Sequence, residues 1–144
     1  MSIADSQILN SYQRQYVSGN WNGAGISLPC QLVFERINQM IQLTINSTSV
    51  LQGTVAGALV FSVTAPADFL PEVQLLLPVY VSLNSSSTPQ STLGTLQIGI
   101  SGAMQLFVNS NVSNSGINVA QPAIFPNGAY IGVYSNTVSY SINF

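Results

Sequence analysis

The sequence predicts an all-β chain, an antiparallel β-sandwich or jelly roll of roughly eight to ten strands. Three observations predict it. From Leu28 onward apolar and polar residues alternate with period two, the signature of half-buried strands. Clusters of Gly, Pro, Asn and Ser interrupt that alternation about every 8–14 residues, the spacing of a many-stranded sandwich. The chain is also 47% hydrophobic but only 4% charged. Its 20 Ser, 8 Thr, 13 Asn and 12 Gln supply the polar faces instead.

Met1 to Asn20 reads as an N-terminal arm or connector. Ile8, Leu9, Tyr12 and Tyr16 fall at helical spacing, which allows a short helix before Ser18-Gly19-Asn20 stops it. The sandwich domain then spans Trp21 to Phe144. Its first clear strand puts Leu28, Cys30, Leu32 and Phe34 on one face. After a turn at Asn38-Gln39, Ile41, Leu43 and Ile45 alternate with Gln42, Thr44 and Asn46; Asn tolerates the left-handed conformation of a tight hairpin. Val50–Val55 and Ala58–Thr64 form two further runs around Gly57, and Ala65–Pro71 is a proline-punctuated loop.

Val73 to Leu83 is the most informative run. Leu75, Leu77, Val79, Val81 and Leu83 share one face, yet Leu76, Pro78 and Tyr80 make the opposite face apolar too. A strand wetted on one side alternates more cleanly than this. Pro78 cannot donate to a ladder, so it belongs at a sheet edge or bulge. Such an edge needs cover, and a neighbouring subunit is the simplest source.

Asn84–Ser91 is a polar loop. Leu96, Ile98 and Ile100 then face Met104, Leu106 and Val108 across a Ser101-Gly102 hairpin turn. Asn109–Asn118 reads as a long Asn- and Ser-rich loop, Ala123–Pro126 and Ala129–Tyr134 as short runs. The chain closes on Val138, Tyr140, Ile142 and Phe144. Tyr140 and Phe144 join Leu76, Pro78 and Tyr80 as candidate oligomer-interface residues.

Composition excludes several functions. Phosphate neutralisation needs Lys and Arg, but the chain has only Arg14 and Arg36, so nucleic acid is not an expected partner. There is no His, the usual general base and commonest metal ligand. The single Cys30 permits no intrachain disulfide and reads as a small buried hydrophobe. No apolar run approaches the ~20 residues of a membrane span, and Met1–Asp5 lacks the basic start of a secretory signal. No membrane insertion is expected. A net charge of -2 gives little repulsion between copies, which suits a permanent assembly.

Catalytic chemistry is equally thin. Asp68 and Glu72 flank Pro71 in a loop that fixes no geometry between them, so they read as solvated acids rather than a calcium cage or an acid–base pair. Arg36, beside Glu35 at a strand end, reads as a structural cation that caps carbonyls or pairs across strands. The serines have neither His nor Lys to activate them. The expectation is no enzyme, no cofactor and no metal. Asn46, Asn84 and Asn111 open N-x-S/T triplets, a pattern that arises by chance in so Asn- and Ser-rich a chain. Trp21, between Gly19-Asn20 and Asn22-Gly23, is either a plug at the end of the sandwich or a stacking platform for a glycan.

Three stretches carry a resemblance. They are Gly19-Asn20-Trp21 with Leu32–Leu43; Phe69-Leu70-Pro71 with Pro78–Val81, Gly94–Ile98 and Gly102–Leu106; and Thr137–Ile142. Their order resembles the small jelly-roll modules of phage and large-DNA-virus virion proteins and fibre tips. Those modules are similar to the tumour-necrosis-factor and complement-component jelly rolls, which are often trimeric. Here Asn38-Gln39 stand where such modules carry Gly-Asn. The resemblance implies a virion-located structural protein (capsid-associated, fibre or head-decoration) that assembles as a homotrimer. Other virion proteins or a host surface glycan are the further partners it implies, and a lectin-like receptor-binding module is the alternative.

Overall fold

The computed structural model describes residues 12–114 and 117–142, with the backbone alone over 110–120. Eleven strands form one curled antiparallel sheet: β1 (Tyr12–Gly23), β2 (Ile26–Ile37), β3 (Met40–Ile45), β4 (Leu51–Gln52), β5 (Leu59–Phe61), β6 (Leu75–Asn84), β7 (Ser91–Ile98), β8 (Met104–Asn114), β9 (Ile117–Ala123), β10 (Tyr130–Val133) and β11 (Asn136–Ser141). The neighbour order is β11-β3-β2-β1-β5-β8-β7-β6-β10-β4, with β9 on β8. The chain is therefore the sandwich-like all-β protein that the alternation predicts.

The predicted faces hold where alternation is strict. Leu28, Leu32, Phe34, Ile41, Leu43 and Ile45 are all buried. Leu59, Val79, Val81, Leu96, Ile98, Met104, Leu106, Phe125 and Ile131 meet them from the other half of the sheet, in one core. Asn38 takes φ 55° at the β2–β3 turn, as its side chain permits. Ala24 and Gly25, at φ 52° and 76°, turn the chain between β1 and β2, the paired positive φ of a two-residue hairpin.

Five expectations are corrected. Tyr12–Asn20 is neither helix nor arm: it is the first part of β1, paired residue for residue with β2 from Tyr12↔Ile37 onward. Tyr12 and Tyr16 also share one face of a strand, so helical spacing misled because positions four apart coincide in both periods. Ile8 and Leu9 lie outside the described residues. The Asn109–Asn118 loop is instead the β8–β9 hairpin, registered from Val108↔Ala123 to Asn114↔Ile117; backbone pairing overrides the low strand propensity of Asn and Ser. The β7–β8 connection runs from Gly99 to Ala103 rather than through a two-residue turn, since Ile98 pairs with Met104, and this leaves Ile100 exposed. The runs expected around Gly57 shrink to β4 and β5.

Tyr140 is the fifth. It is 6% exposed and its hydroxyl donates to the Phe69 carbonyl at 2.6 Å, so it serves the chain's own core and not an oligomer face. Phe144, the other C-terminal interface candidate, lies outside the described residues. Burial raises the Tyr140 pKa well above its ordinary 10.0. The unfolded chain releases this proton near pH 10 while the folded chain keeps it, so stability is lost as pH rises beyond that point. Tyr140→Phe strands the Phe69 carbonyl and is expected to cost about 1–3 kcal/mol at neutral pH. In urea titrations at pH 7 and 10.5, the variant's deficit shrinks at the higher pH; a deficit unchanged or larger there contradicts this role.

Candidate functional site

The candidate site is the outer surface of β6 and β7. In the β6–β7 ladder Leu76 lies opposite Gln97, Pro78 opposite Thr95 and Tyr80 opposite Leu93. Their neighbours Val79, Val81, Leu96 and Ile98 fill the core, so strand alternation forces this second set outward. Leu76 is 56% exposed, Tyr80 55% and Leu93 44%. Neither strand carries a charged residue. Thr95 is buried on the outer side, where its hydroxyl bonds Asn109 Oδ1 at 2.6 Å, so even the polar middle of the stripe is internally satisfied. Leu76, Pro78, Tyr80 and Leu93 together present an apolar patch of about 300 Å², a size that is often functional on a monomer surface.

Pro78 sits where its chemistry requires. β10 pairs with β6 from Val81 to Asn84, so among the described residues the Leu75–Tyr80 half has no ladder on the side away from β7. There Asn136 of β11 bridges the gap: Tyr80 N–H donates to Asn136 Oδ1 and Asn136 Nδ2 donates to the Tyr80 carbonyl, both at 2.8 Å. Pro71, Glu72, Val73 and Leu75 share a shallow depression with Tyr140 and Ser141. β11 thus runs back along β6, joined through a side chain and not a ladder. The missing N–H of Pro78 falls on this seam, since Pro78 and Tyr80 point their backbones the same way. The edge of β6 is thereby covered by the chain itself; what stays uncovered is the outward face.

Trp21 is fully buried. Its ring centroid lies 4.8 Å from that of Phe61. Trp21 therefore plugs the sandwich and cannot be a glycan contact. Among the described residues its indole N–H has no nitrogen or oxygen acceptor. It lies near the Cys30 thiol, whose pKa burial raises and this indole partly lowers. Cys30 also donates to the Asn46 carbonyl at 3.2 Å. It is a small buried group, as its isolation in the sequence suggests.

The charged candidates are not brought together. Asp68, in a 3-10 turn at Ala67–Phe69, borders a depression with Gln13, Arg14, Gln15 and Phe69, while Glu72 borders the one beside Tyr140. Arg36 donates to the carbonyls of Asn38 (2.7 Å) and Asp68 (2.8 Å), clamping the β2–β3 turn to the 3-10 turn. Among the described residues no three His, Cys, Asp or Glu side chains gather into a possible metal site. Asn84 Nδ2 is engaged by the Thr88 carbonyl at 2.9 Å and Asn46 is partly buried; Asn111 lies in β8, paired with Ala120.

Two features escaped the sequence. Leu93 completes the stripe, but only the β6–β7 register places it opposite Tyr80. A second exposed row, Tyr12, Ile37 and Met40, crosses β1, β2 and β3 in register, with Tyr16 beside it. The Tyr12–Arg14–Tyr16 alternation is the available signal, and its period is two.

No protein-family model matches the chain, and no curated protein sequence does. Among solved structures, a reovirus attachment protein, sigma1, solved in complex with alpha-2,3-sialyllactose, is similar with a TM-score of 0.53 at 8% identity, covering 96% of this chain and 69% of that one. The C-terminal receptor-binding domain of the avian reovirus fibre sigmaC gives 0.51 at 15% identity, covering 93% and 79%. At such identities the likeness concerns the fold: this chain has the all-β fold seen in reovirus attachment and fibre domains.

Proposed function

We propose that the chain is a structural virion protein, a fibre, capsid-associated or head-decoration component at the particle surface. It assembles with copies of itself as a homotrimer of the tumour-necrosis-factor-like jelly-roll kind. One observation carries this reading: an uncharged apolar stripe, Leu76–Pro78–Tyr80 with Leu93, faces outward from a complete core. Burying about 300 Å² on each of two facing copies yields roughly 15 kcal/mol before costs, against about 4–15 kcal/mol for association. The stripe is therefore the centre of an interface, whose neutral polar surroundings would complete a standard ~1,600 Å² contact. A net charge of -2 opposes assembly little.

Receptor contact is the second reading. Its support is that the two similar folds belong to an attachment protein and a receptor-binding domain. With Trp21 sealed inside, a sugar would be held by loop amides and hydroxyls, and a glycan array tests that directly. The proposal assigns no catalysis, cofactor or metal. Light scattering behind size exclusion tests assembly: a mass of three chains or a multiple of three at micromolar concentration is expected, and a strict monomer overturns the proposal.

A further inference from the structure

Among the described residues the edge of β1 is open. β2 pairs with all twelve residues of β1, but on the other side β5 reaches only Trp21 and Asn22. Beyond them Asn20 N–H donates to Ser62 Oγ and Ser62 N–H to the Asn20 carbonyl, each at 2.9 Å. The Asn20 backbone therefore points away from β2. Because the β1–β2 register is unbroken from Tyr12↔Ile37 to Gly23↔Ile26, alternation makes Ser18, Tyr16, Arg14 and Tyr12 point the same way. Among the described residues no backbone hydrogen bond reaches those four on that side. Tyr12 to Tyr16 are exposed on both faces. Proteins usually blunt such an edge with Lys, Pro or a bulge; Tyr12–Ser18 has no Pro, no bulge and one charge, Arg14.

We propose that this edge pairs with the same edge of a second copy, antiparallel, about a two-fold axis passing at Gln15. The sequence is self-complementary in that register. Arg14 lies opposite Tyr16 of the partner subunit, an aromatic that already attracts it within one chain, where the guanidinium sits 5.0 Å from the Tyr16 ring centre. Tyr12 lies opposite Ser18 of the partner subunit, and every open N–H and C=O from Tyr12 to Ser18 gains a partner. An axis at Arg14 would oppose two guanidiniums, which like-charge pairing disfavours. An axis at Tyr16 would set Tyr12 against Asn20, whose backbone Ser62 already occupies. The contact is separate from the β6–β7 stripe and joins copies pairwise.

Register-specific cross-linking tests this. Residues on the axis form a non-hydrogen-bonded pair with Cα atoms about 4.5 Å apart, within disulfide range. Under mild oxidation Gln15→Cys is expected to give a covalent dimer, while Gln13→Cys, whose counterpart is Val17, cross-links at least about tenfold more slowly. The unaltered chain, with Cys30 buried, serves as the background. Adding Tyr16→Pro, which removes an edge donor without touching the β2 ladder, is expected to slow Gln15→Cys cross-linking about tenfold, with circular dichroism confirming the fold. Leu76→Asn with Tyr80→Ser leaves this cross-link in place, so loss of the stripe contact and loss of the edge contact are told apart. A Gln15→Cys chain that stays monomeric, or a Gln13→Cys chain that cross-links equally fast, overturns the proposal.

Discussion

Trp21→Ala is expected to lower the unfolding free energy by about 3–5 kcal/mol, the range for emptying an aromatic site in a packed core. Trp21 is fully buried and packs against Phe61 with the two rings tilted by 60°. It stands where β1 touches both neighbours, opposite Leu28 of β2 and Phe61 of β5. β5 is only three residues long, so little else joins the β1–β2–β3 side of the sheet to β8. Removing the indole opens a cavity at that junction, and the backbone cannot collapse into it without breaking the β1–β5 pairs. Small domains hold about 5–15 kcal/mol in total, so much of the stability is at stake. Urea unfolding followed by circular dichroism measures the change. A loss below about 1 kcal/mol, the level of a surface substitution, would mean that Trp21 is not the plug described. Trp21→Phe keeps most of the volume and should recover more than half of the loss.

Leu76→Asn combined with Tyr80→Ser should break the stripe contact between copies without unfolding them. Both side chains point away from the core and are more than half exposed, so within one chain their replacement changes little, within about 0.5 kcal/mol per site. Tyr80 contacts Asn136 through its backbone only, and Ser keeps that N–H and C=O, so the β6–β11 seam survives. Between chains the substitutions remove most of the apolar area at the centre of the stripe. Such central anchors carry a disproportionate share of binding energy, about 2 kcal/mol or more each, and two of them in each contact amount to about a thousandfold in affinity. Sedimentation equilibrium should show a mass of three chains or a multiple of three for the parent and no more than the edge-paired dimer for the double variant, with an unchanged circular-dichroism spectrum. An unchanged mass places the contact elsewhere on the chain.

The fold was legible wherever period-two alternation was strict. Leu28 to Phe34 and Ile41 to Ile45 gave both strands, the turn at Asn38-Gln39 and the buried face. Leu76, Pro78 and Tyr80 were legible as a second apolar face because burial of their neighbours forces them outward. Legibility failed where composition competed with pairing. The Asn109–Asn118 stretch looks like a loop by side chain, yet its register with β9 is set by backbone hydrogen bonds that residue type barely signals. Tyr140 failed differently: alternation identified its face correctly, but only the contact with the Phe69 carbonyl 71 residues away shows that this face is the interior. Trp21 was open between plug and platform, and the position of Phe61 beneath it decided the matter. No local pattern reveals that Asn136 stitches β11 to β6, since that contact joins residues 56 apart.

Hydroxyl-radical footprinting across a dilution series reads the stripe itself. If sister chains cover it, Leu76, Tyr80 and Leu93 are shielded at micromolar concentration and become reactive together as dilution separates the subunits, while Val73, 64% exposed on the neighbouring loop, reacts throughout. Equal modification of the three at every concentration, in a sample whose mass remains multimeric, would show that these side chains meet only water and that some other surface holds the copies together.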